Sequence, residues 1–145
     1  MKYLTILAIA LLALTSCQKE AIVETATTDN QTKVLVSFSS KDAVVNFVNG
    51  KWSWKETVIK QRIGLVYTTP ANSGIQKVVQ LTCNTATVFE NGKMTMTENF
   101  ELRHTDAGWL FEGAGCSGIL YHLGEQLIIA GSFMDKADNY FERTK

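Results

Sequence analysis

The chain has 145 residues, its 14 lysines and arginines balance 14 aspartates and glutamates, and 46% of its residues are hydrophobic. A neutral chain without a basic stripe lacks the electrostatic footprint of a nucleic-acid-binding protein, and the absence of a long acidic run argues against disorder. A single proline, together with many Thr, Val and aromatic residues, favours β-structure.

The N-terminus has the layout of a secretory signal peptide. Met1 and Lys2 give a positive start, and residues 3–14 form an apolar run that only Thr5 interrupts. Twelve helical residues span roughly 18 Å, which is too short for a hydrocarbon core of about 30 Å. The segment therefore indicates export rather than a transmembrane helix.

Residues 14–17, Leu-Thr-Ser-Cys, resemble the lipobox of bacterial lipoproteins. The resemblance implies cleavage before Cys17, whose thiol then accepts a diacylglyceryl group, so that acyl chains hold the mature chain to a membrane. Residues 1–16 are then a signal peptide that plays no part in the fold. The alternative is an ordinary signal peptide with a cysteine there by chance.

Residues 17–32 are rich in Thr and Ala without useful periodicity, which predicts a flexible tether from the lipidated Cys17 to a domain over residues 33–145. Gln18 is not the aspartate that retains enteric lipoproteins in the inner membrane. We therefore expect a lipoprotein of the cell envelope that is anchored in the outer membrane. Its domain is then either periplasmic or exposed at the cell surface, and the sequence favours neither face.

Cys83 and Cys116 are the other two cysteines of the mature chain. An even count in an oxidising compartment permits a disulfide, which would close a loop of about 34 residues and stabilise the fold by roughly 3.5–4 kcal/mol. Two separate buried thiols are the alternative, because free cysteine packs as a small apolar residue.

The first part of the domain predicts a strand over residues 33–39 and then one short helix. Ser40 is a suitable N-cap, Asp42 lies in the first turn, and Gly50 can end the helix. Two tryptophans alternate with polar residues at positions 51–55, which indicates a strand. Residues 61–74 contain the only proline and are predicted to form a long loop, and residues 75–82 the next strand.

The pair Asn91-Gly92 predicts a tight hairpin, because both residues accept the positive φ of a type I′ turn. In the returning strand apolar and polar residues alternate, and one face is predicted to point inward: Met94, Met96, Glu98 and Phe100. Further strands are predicted at residues 109–112, 119–123, 126–133 and 139–143. About eight short strands joined by tight turns favour an antiparallel sandwich or barrel.

The segment Gly50-Lys51-Trp52 after a short helix, together with Arg143 near the C-terminus, resembles the lipocalin and lipocalin-like signature. The chain is more closely similar to small lipocalin-like lipoproteins of Gram-negative bacteria, over residues 43–145. The resemblance implies an all-β fold: an eight-stranded antiparallel up-and-down lipocalin-like β-barrel preceded by a short helix. It also implies that Arg143 stacks on Trp52 and closes the barrel floor with Gly50, a favourable cation–π geometry. The alternative is a β-sandwich with ordinary core tryptophans.

The function expected from this resemblance is binding of a small apolar or amphipathic molecule by a membrane-anchored monomer. Met94, Met96, Glu98 and Phe100 are the candidate ligand-lining residues. The alternative is a non-catalytic accessory or interaction lipoprotein with a filled barrel. No catalytic constellation, metal-ligand spacing, cofactor motif or nucleic-acid-binding patch accompanies them, so we expect no enzyme, no metal and no cofactor.

Overall fold

A computed structural model describes residues 22–26 and 33–145, which form twelve strands, two short α-helices and one 3₁₀ helix. The all-β class is confirmed, but the expectation of eight strands is wrong. The strands are β1 (Ile22–Ala26), β2 (Lys33–Val36), β3 (Gly50–Gln61), β4 (Gly64–Thr68), β5 (Lys77–Thr82), β6 (Thr85–Glu90), β7 (Lys93–Asn99), β8 (Glu101–Thr105), β9 (Gly108–Gly113), β10 (Cys116–Leu123), β11 (Gln126–Ala130) and β12 (Asp138–Arg143). The helices are α1 (Lys41–Val48), α2 (Pro70–Ser73) and the 3₁₀ helix Ser132–Met134.

Every strand pair among the described residues is antiparallel. The main order is β1-β2-β10-β11-β12-β3-β5-β6-β7, while β9 also pairs with β10, β8 pairs with β9, and β4 pairs with the far half of β3. β1 falls inside residues 17–32, the segment predicted as a tether. The chain therefore first joins the sheet at β1, before residue 33, where the domain was predicted to begin.

α1 begins where the side chain of Ser40 accepts a hydrogen bond from the backbone N–H of Ala43 at 3.2 Å. Capping of this kind satisfies an N–H that has no partner inside the helix. Val44 and Val48, four residues apart, are fully buried. The helix therefore packs one apolar face against the end of the sheet at which β3 begins.

The region predicted as a loop over residues 61–74 is largely regular structure. β3 continues to Gln61 and turns back into β4, and α2 follows directly. Thr69 and Asn72 form a reciprocal capping box at the start of α2, with Pro70 at its first position. A proline is compatible with a first helical turn because its missing N–H is unpaired there in any case.

The strand predicted over residues 126–133 is also shorter, since β11 ends at Ala130 and a 3₁₀ turn follows. One carboxylate oxygen of Asp138 accepts hydrogen bonds from the backbone N–H groups of Gly131 and Ser132, both at 2.8 Å. These local hydrogen bonds replace the ladder that a longer strand would need.

β7 and β8 are successive strands separated only by Phe100, and they pair with different neighbours, β6 and β9. The backbone N–H of Phe100 donates to the carbonyl of Asn84 at 2.8 Å, and its ring stacks on Phe111 with centroids 5.2 Å apart. A Cβ on Gly113 would lie 2.5 Å from the Cβ of Phe100, so only glycine permits this approach. The sheet curls around this contact.

The inner face of the curled sheet and α1 share one apolar core. It contains these buried residues: Val44, Val48, Trp52, Trp54, Val79, Leu81, Ala86, Val88, Phe100, Trp109, Phe111, Leu120, Leu127, Ile129 and Phe141. A second buried cluster lies on the opposite face of β9, β10 and β11: Leu110, Ile119, Tyr121 and Ile128. The alternation along these strands places apolar side chains on both faces, as is usual where a sheet is covered on both sides.

Candidate functional site

The structure brings Gly50, Trp52 and Arg143 together at the α1 end of the sheet. The guanidinium carbon of Arg143 lies 4.3 Å from the centroid of the Trp52 ring, and the two residues are directly opposite in the β3–β12 pair. The guanidinium also donates to the backbone carbonyls of Phe47 and Asn49, the latter at 3.0 Å. These donors satisfy carbonyls at the end of α1 that lack helical partners.

Gly50 is required at this position for two reasons. Its φ is +134°, a conformation that residues with a Cβ rarely adopt, and a Cβ there would lie 2.8 Å from Nη1 of Arg143. Trp52 is fully buried, and its Nε1 donates to the carbonyl of Val48 at 2.6 Å. The indole is thus fixed between α1 and the guanidinium.

The space inside the sheet above Trp52 is almost completely filled. The enclosed void between Trp52, Phe111 and Phe141 measures about 10 Å³. A volume of this size is about the minimum for one water molecule, whereas ligand pockets usually measure ~300–1,000 Å³. The closed part of the interior is therefore a packed core.

The four residues predicted to line a ligand cavity do not form one wall. A β-bulge opposite the Val88–Phe89 step pairs Met96 with Val88 but Met94 with Phe89. Neighbouring residues of β6 point to opposite faces, so the two methionines do as well. Met94 is 60% exposed and Met96 is 39% exposed.

Glu98 and Phe100 have different roles from each other. Phe100 is only 5% exposed and belongs to the packed core. Glu98 is exposed, and its carboxylate accepts a hydrogen bond from the backbone N–H of Gly115 at 3.3 Å. Glu98 therefore bridges β7 and the turn between β9 and β10 at the rim of an open cleft.

This open cleft has a volume of about 830 Å³ and lies beside the filled core. Its lining includes these polar residues: Glu98, Glu101, Glu112, Ser117, Lys136 and Asn139. Thr57 lines it as well, accepting a hydrogen bond from Nε1 of Trp54 at 2.9 Å and donating one to Asn139 at 2.7 Å. The Oγ of Ser117 is itself buried and has no hydrogen-bond partner among the described residues, so a molecule in the cleft does not reach it. The polar groups that the cleft offers to a ligand are therefore its exposed carboxylates and the ammonium of Lys136.

Cys83 and Cys116 are both free thiols in the structure, but Cys83 is exposed rather than buried as the alternative to a disulfide expected. Cys83 is exposed in the turn between β5 and β6, where its N–H donates to the side chain of Asn49 at 3.1 Å. Burial raises the pKa of the Cys116 thiol to about 12, and its Sγ donates to the carbonyl of Gly113 at 3.2 Å. Cys116 is accordingly an unreactive packing residue.

An exposed hairpin, most of which was predicted to be a loop, carries most of the large exposed hydrophobic side chains in the described part of the chain. Of the nine large exposed hydrophobic side chains in the described part of the chain, five belong to residues 59–67, the end of β3 and most of β4. They are Ile59, Ile63, Leu65, Val66 and Tyr67. The β-forming residues on either side of the Arg62-Ile63 turn were the signal that could have identified this 59–67 hairpin.

Three further observations bear on the kind of protein. Within the described ranges, no three His, Cys, Asp or Glu side chains come together in a way that could hold a metal ion. No helix among the described residues is long and apolar enough to cross a bilayer. Cys17, the predicted lipidation site, lies outside the described residues.

Comparisons with protein-family models, with curated protein sequences and with solved structures found no match in any of the three.

Proposed function

We propose that this chain is a non-catalytic accessory lipoprotein of the cell envelope, whose filled barrel presents the 59–67 hairpin to another envelope component. The observation that carries the proposal is the contrast between a packed barrel interior and an exposed apolar hairpin. The void between Trp52, Phe111 and Phe141 measures only about 10 Å³, whereas five large apolar side chains of one hairpin are exposed. Exposed apolar surface of this kind marks an interaction site more often than a structural need.

The fold proposed here is a lipocalin-like barrel with eight positions around its ring. β7 and β8 count as two halves of one strand, because β7 pairs with β6, β8 pairs with β9, and only Phe100 separates them. β1, β2 and β4 then lie outside the ring. The contact of Arg143 with Trp52 and the tight fit at Gly50 support this assignment, since they occupy the positions that the lipocalin-like resemblance implies.

The proposed membrane attachment rests on Cys17 and the lipobox-like residues before it. Two or more acyl chains make such an anchor stable, because each buried CH₂ contributes ~0.8 kcal/mol. The partner of the N-terminus is then the outer membrane, and the domain is proposed to be a monomer. Mass spectrometry of the N-terminal peptide from the host membrane tests the anchor: an unmodified Cys17, or a chain that still begins at Met1, contradicts it.

The role of the hairpin is tested by photo-crosslinking in intact cells. A photoreactive amino acid replaces Ile63 in one variant and Lys93 in a matched control, since Lys93 is exposed beside another tight turn, Asn91-Gly92. We expect adducts at position 63 that are absent at position 93. Equal labelling at the two positions would contradict an interaction role for the hairpin.

A second candidate function is binding of a small amphipathic molecule, now in the open cleft rather than in the closed interior. The exposed carboxylates of Glu98 and Glu112 and the ammonium of Lys136 around a volume of about 830 Å³ favour it. Native mass spectrometry of protein isolated from its host tests this function. Recovery of a stoichiometric ligand that is lost in Lys136→Gln supports it, and repeated recovery of the empty chain counts against it.

A further inference from the structure

We propose that the component contacted by the 59–67 hairpin is a lipid bilayer surface containing anionic headgroups, into which the turn inserts at shallow depth. This inference rests on the proposed function, since it takes the hairpin as the interaction surface and names its partner.

The apolar side chains of the hairpin lie on both faces and at its tip. In the β3–β4 pair Ile59 is opposite Val66, and Leu65 is opposite Lys60, one residue along. Residues directly opposite in an antiparallel pair share a face, so Ile59 and Val66 lie on one face and Leu65 on the other. Ile63 in the turn is 94% exposed.

This distribution fits a lipid boundary better than a protein partner. A protein docked on one face of a two-stranded hairpin would leave the apolar side chains of the other face in water. The headgroup and acyl boundary surrounds an inserted hairpin on all sides, so that both faces and the tip leave water together. Tyr67 lies farther from the turn and is amphipathic, as is usual for aromatic residues at a membrane interface.

The charges of the hairpin are complementary to anionic headgroups. Lys60 precedes the turn and Arg62 lies in it, and the sequence contains no acidic residue between Glu56 and Glu90. Their long side chains can extend along the apolar surface and keep their charges at headgroup level. Each such cation near an anionic surface contributes about 1 kcal/mol, so the pair corresponds to roughly a 30-fold gain in affinity.

The backbone limits how deeply the hairpin inserts. β4 pairs only with β3 among the described strands, so its outer edge has unpaired N–H and carbonyl groups. Such groups are costly in hydrocarbon, which excludes a spanning position. Interfacial segments insert about 5–10 Å, and at ~3.3 Å per strand residue this buries about two or three residues on each side of the turn. Ile63 and the opposite pair Lys60 and Leu65 fall within that depth, and the next pair, Ile59 and Val66, lies at its limit.

The hairpin lies at the end of β3 opposite the end that contacts α1. β2, which follows the proposed anchor, pairs with β10 through Val36 and His122, and His122 contacts Phe47 of α1. The hairpin therefore extends from the end of the sheet opposite the contact between Trp52 and Arg143.

The test is quenching of a reporter tryptophan by lipids that have bromine on their acyl chains. Chain purified from its host membranes is reconstituted on vesicles that contain phosphatidylglycerol, with tryptophan at position 63 (I63W) or, as the matched control, at position 93 (K93W). The native tryptophans are all at least 91% buried and contribute little change: Trp52, Trp54 and Trp109. We expect several-fold stronger quenching for I63W than for K93W.

Replacing Lys60 and Arg62 by glutamine in the I63W chain, or phosphatidylglycerol by phosphatidylcholine, should lower the quenching towards the K93W level. Circular dichroism shows whether each variant keeps the fold. Equal quenching of folded I63W and K93W overturns the lipid inference and leaves the proposed function intact if crosslinking at position 63 captures a protein. Strong quenching of I63W in a chain with an unmodified Cys17 upholds the inference and contradicts the proposed anchor.

Discussion

Replacement of Arg143 by alanine is the most direct test of the cluster formed at the α1 end of the sheet. The guanidinium has three partners: the Trp52 ring at 4.3 Å and the backbone carbonyls of Phe47 and Asn49. Arg143→Ala removes all three contacts at once. It also leaves two carbonyls at the end of α1 to find water as their only partner.

The expected loss in the free energy of unfolding follows from these contacts. The cation–π contact contributes about 0.5–2 kcal/mol, and a hydrogen bond from a charged donor contributes roughly 1.5–3 kcal/mol when it is well shielded. Arg143 is half-buried and water can replace part of each hydrogen bond, so the lower ends of these ranges apply. We expect a loss of about 3.5 kcal/mol, a large share of the roughly 5–15 kcal/mol that stabilises a typical domain.

Urea denaturation followed by far-ultraviolet circular dichroism measures this loss. The matched control is Arg103→Ala, because the Arg103 side chain is 64% exposed and has a single contact, with Glu112 at 3.5 Å. An exposed ion pair of this kind contributes about 0–1 kcal/mol. If Arg143→Ala lowers the denaturation midpoint no more than Arg103→Ala does, the role given to Arg143 is wrong.

Two further predictions concern glycine and cysteine positions. Gly50→Ala should lower the free energy of unfolding more than Gly64→Ala does in urea denaturation. The backbone cost is similar at the two positions, about 1–2 kcal/mol for each alanine, because their φ values are +134° and +139°. Only at Gly50 would the new Cβ also lie 2.8 Å from Arg143. Equal losses would show that Arg143 does not restrict this site. A thiol reagent at pH 8 should modify exposed Cys83 quickly and Cys116 slowly, because burial raises the pKa of Cys116 to about 12 and keeps it a neutral thiol. Both should react at one rate in urea, and the number of titratable thiols before reduction should be two, since a bridged chain would show none.

Several local features of the fold could be predicted from the sequence alone. The serine cap of α1 and the Asn91-Gly92 turn depend on a few neighbouring residues, and the structure has both, with φ of +50° at Asn91 and +80° at Gly92. The all-β class follows from the period-two alternation of apolar residues, which is also local. The contact of Trp52 with Arg143 links residues far apart in sequence, and only the family resemblance indicated it.

Other features were decided by tertiary structure, because they depend on which strands become neighbours. The bulge that separates Met94 from Met96 forms only once β7 is paired with β6, and the alternation of the sequence does not reveal it. The same is true of the filled interior, since free volume depends on how aromatic side chains from different strands fit together. The 59–67 hairpin shows most clearly what local sequence cannot predict. Its apolar residues are of the kind found in buried strands, and they are exposed only because none of the described strands covers them.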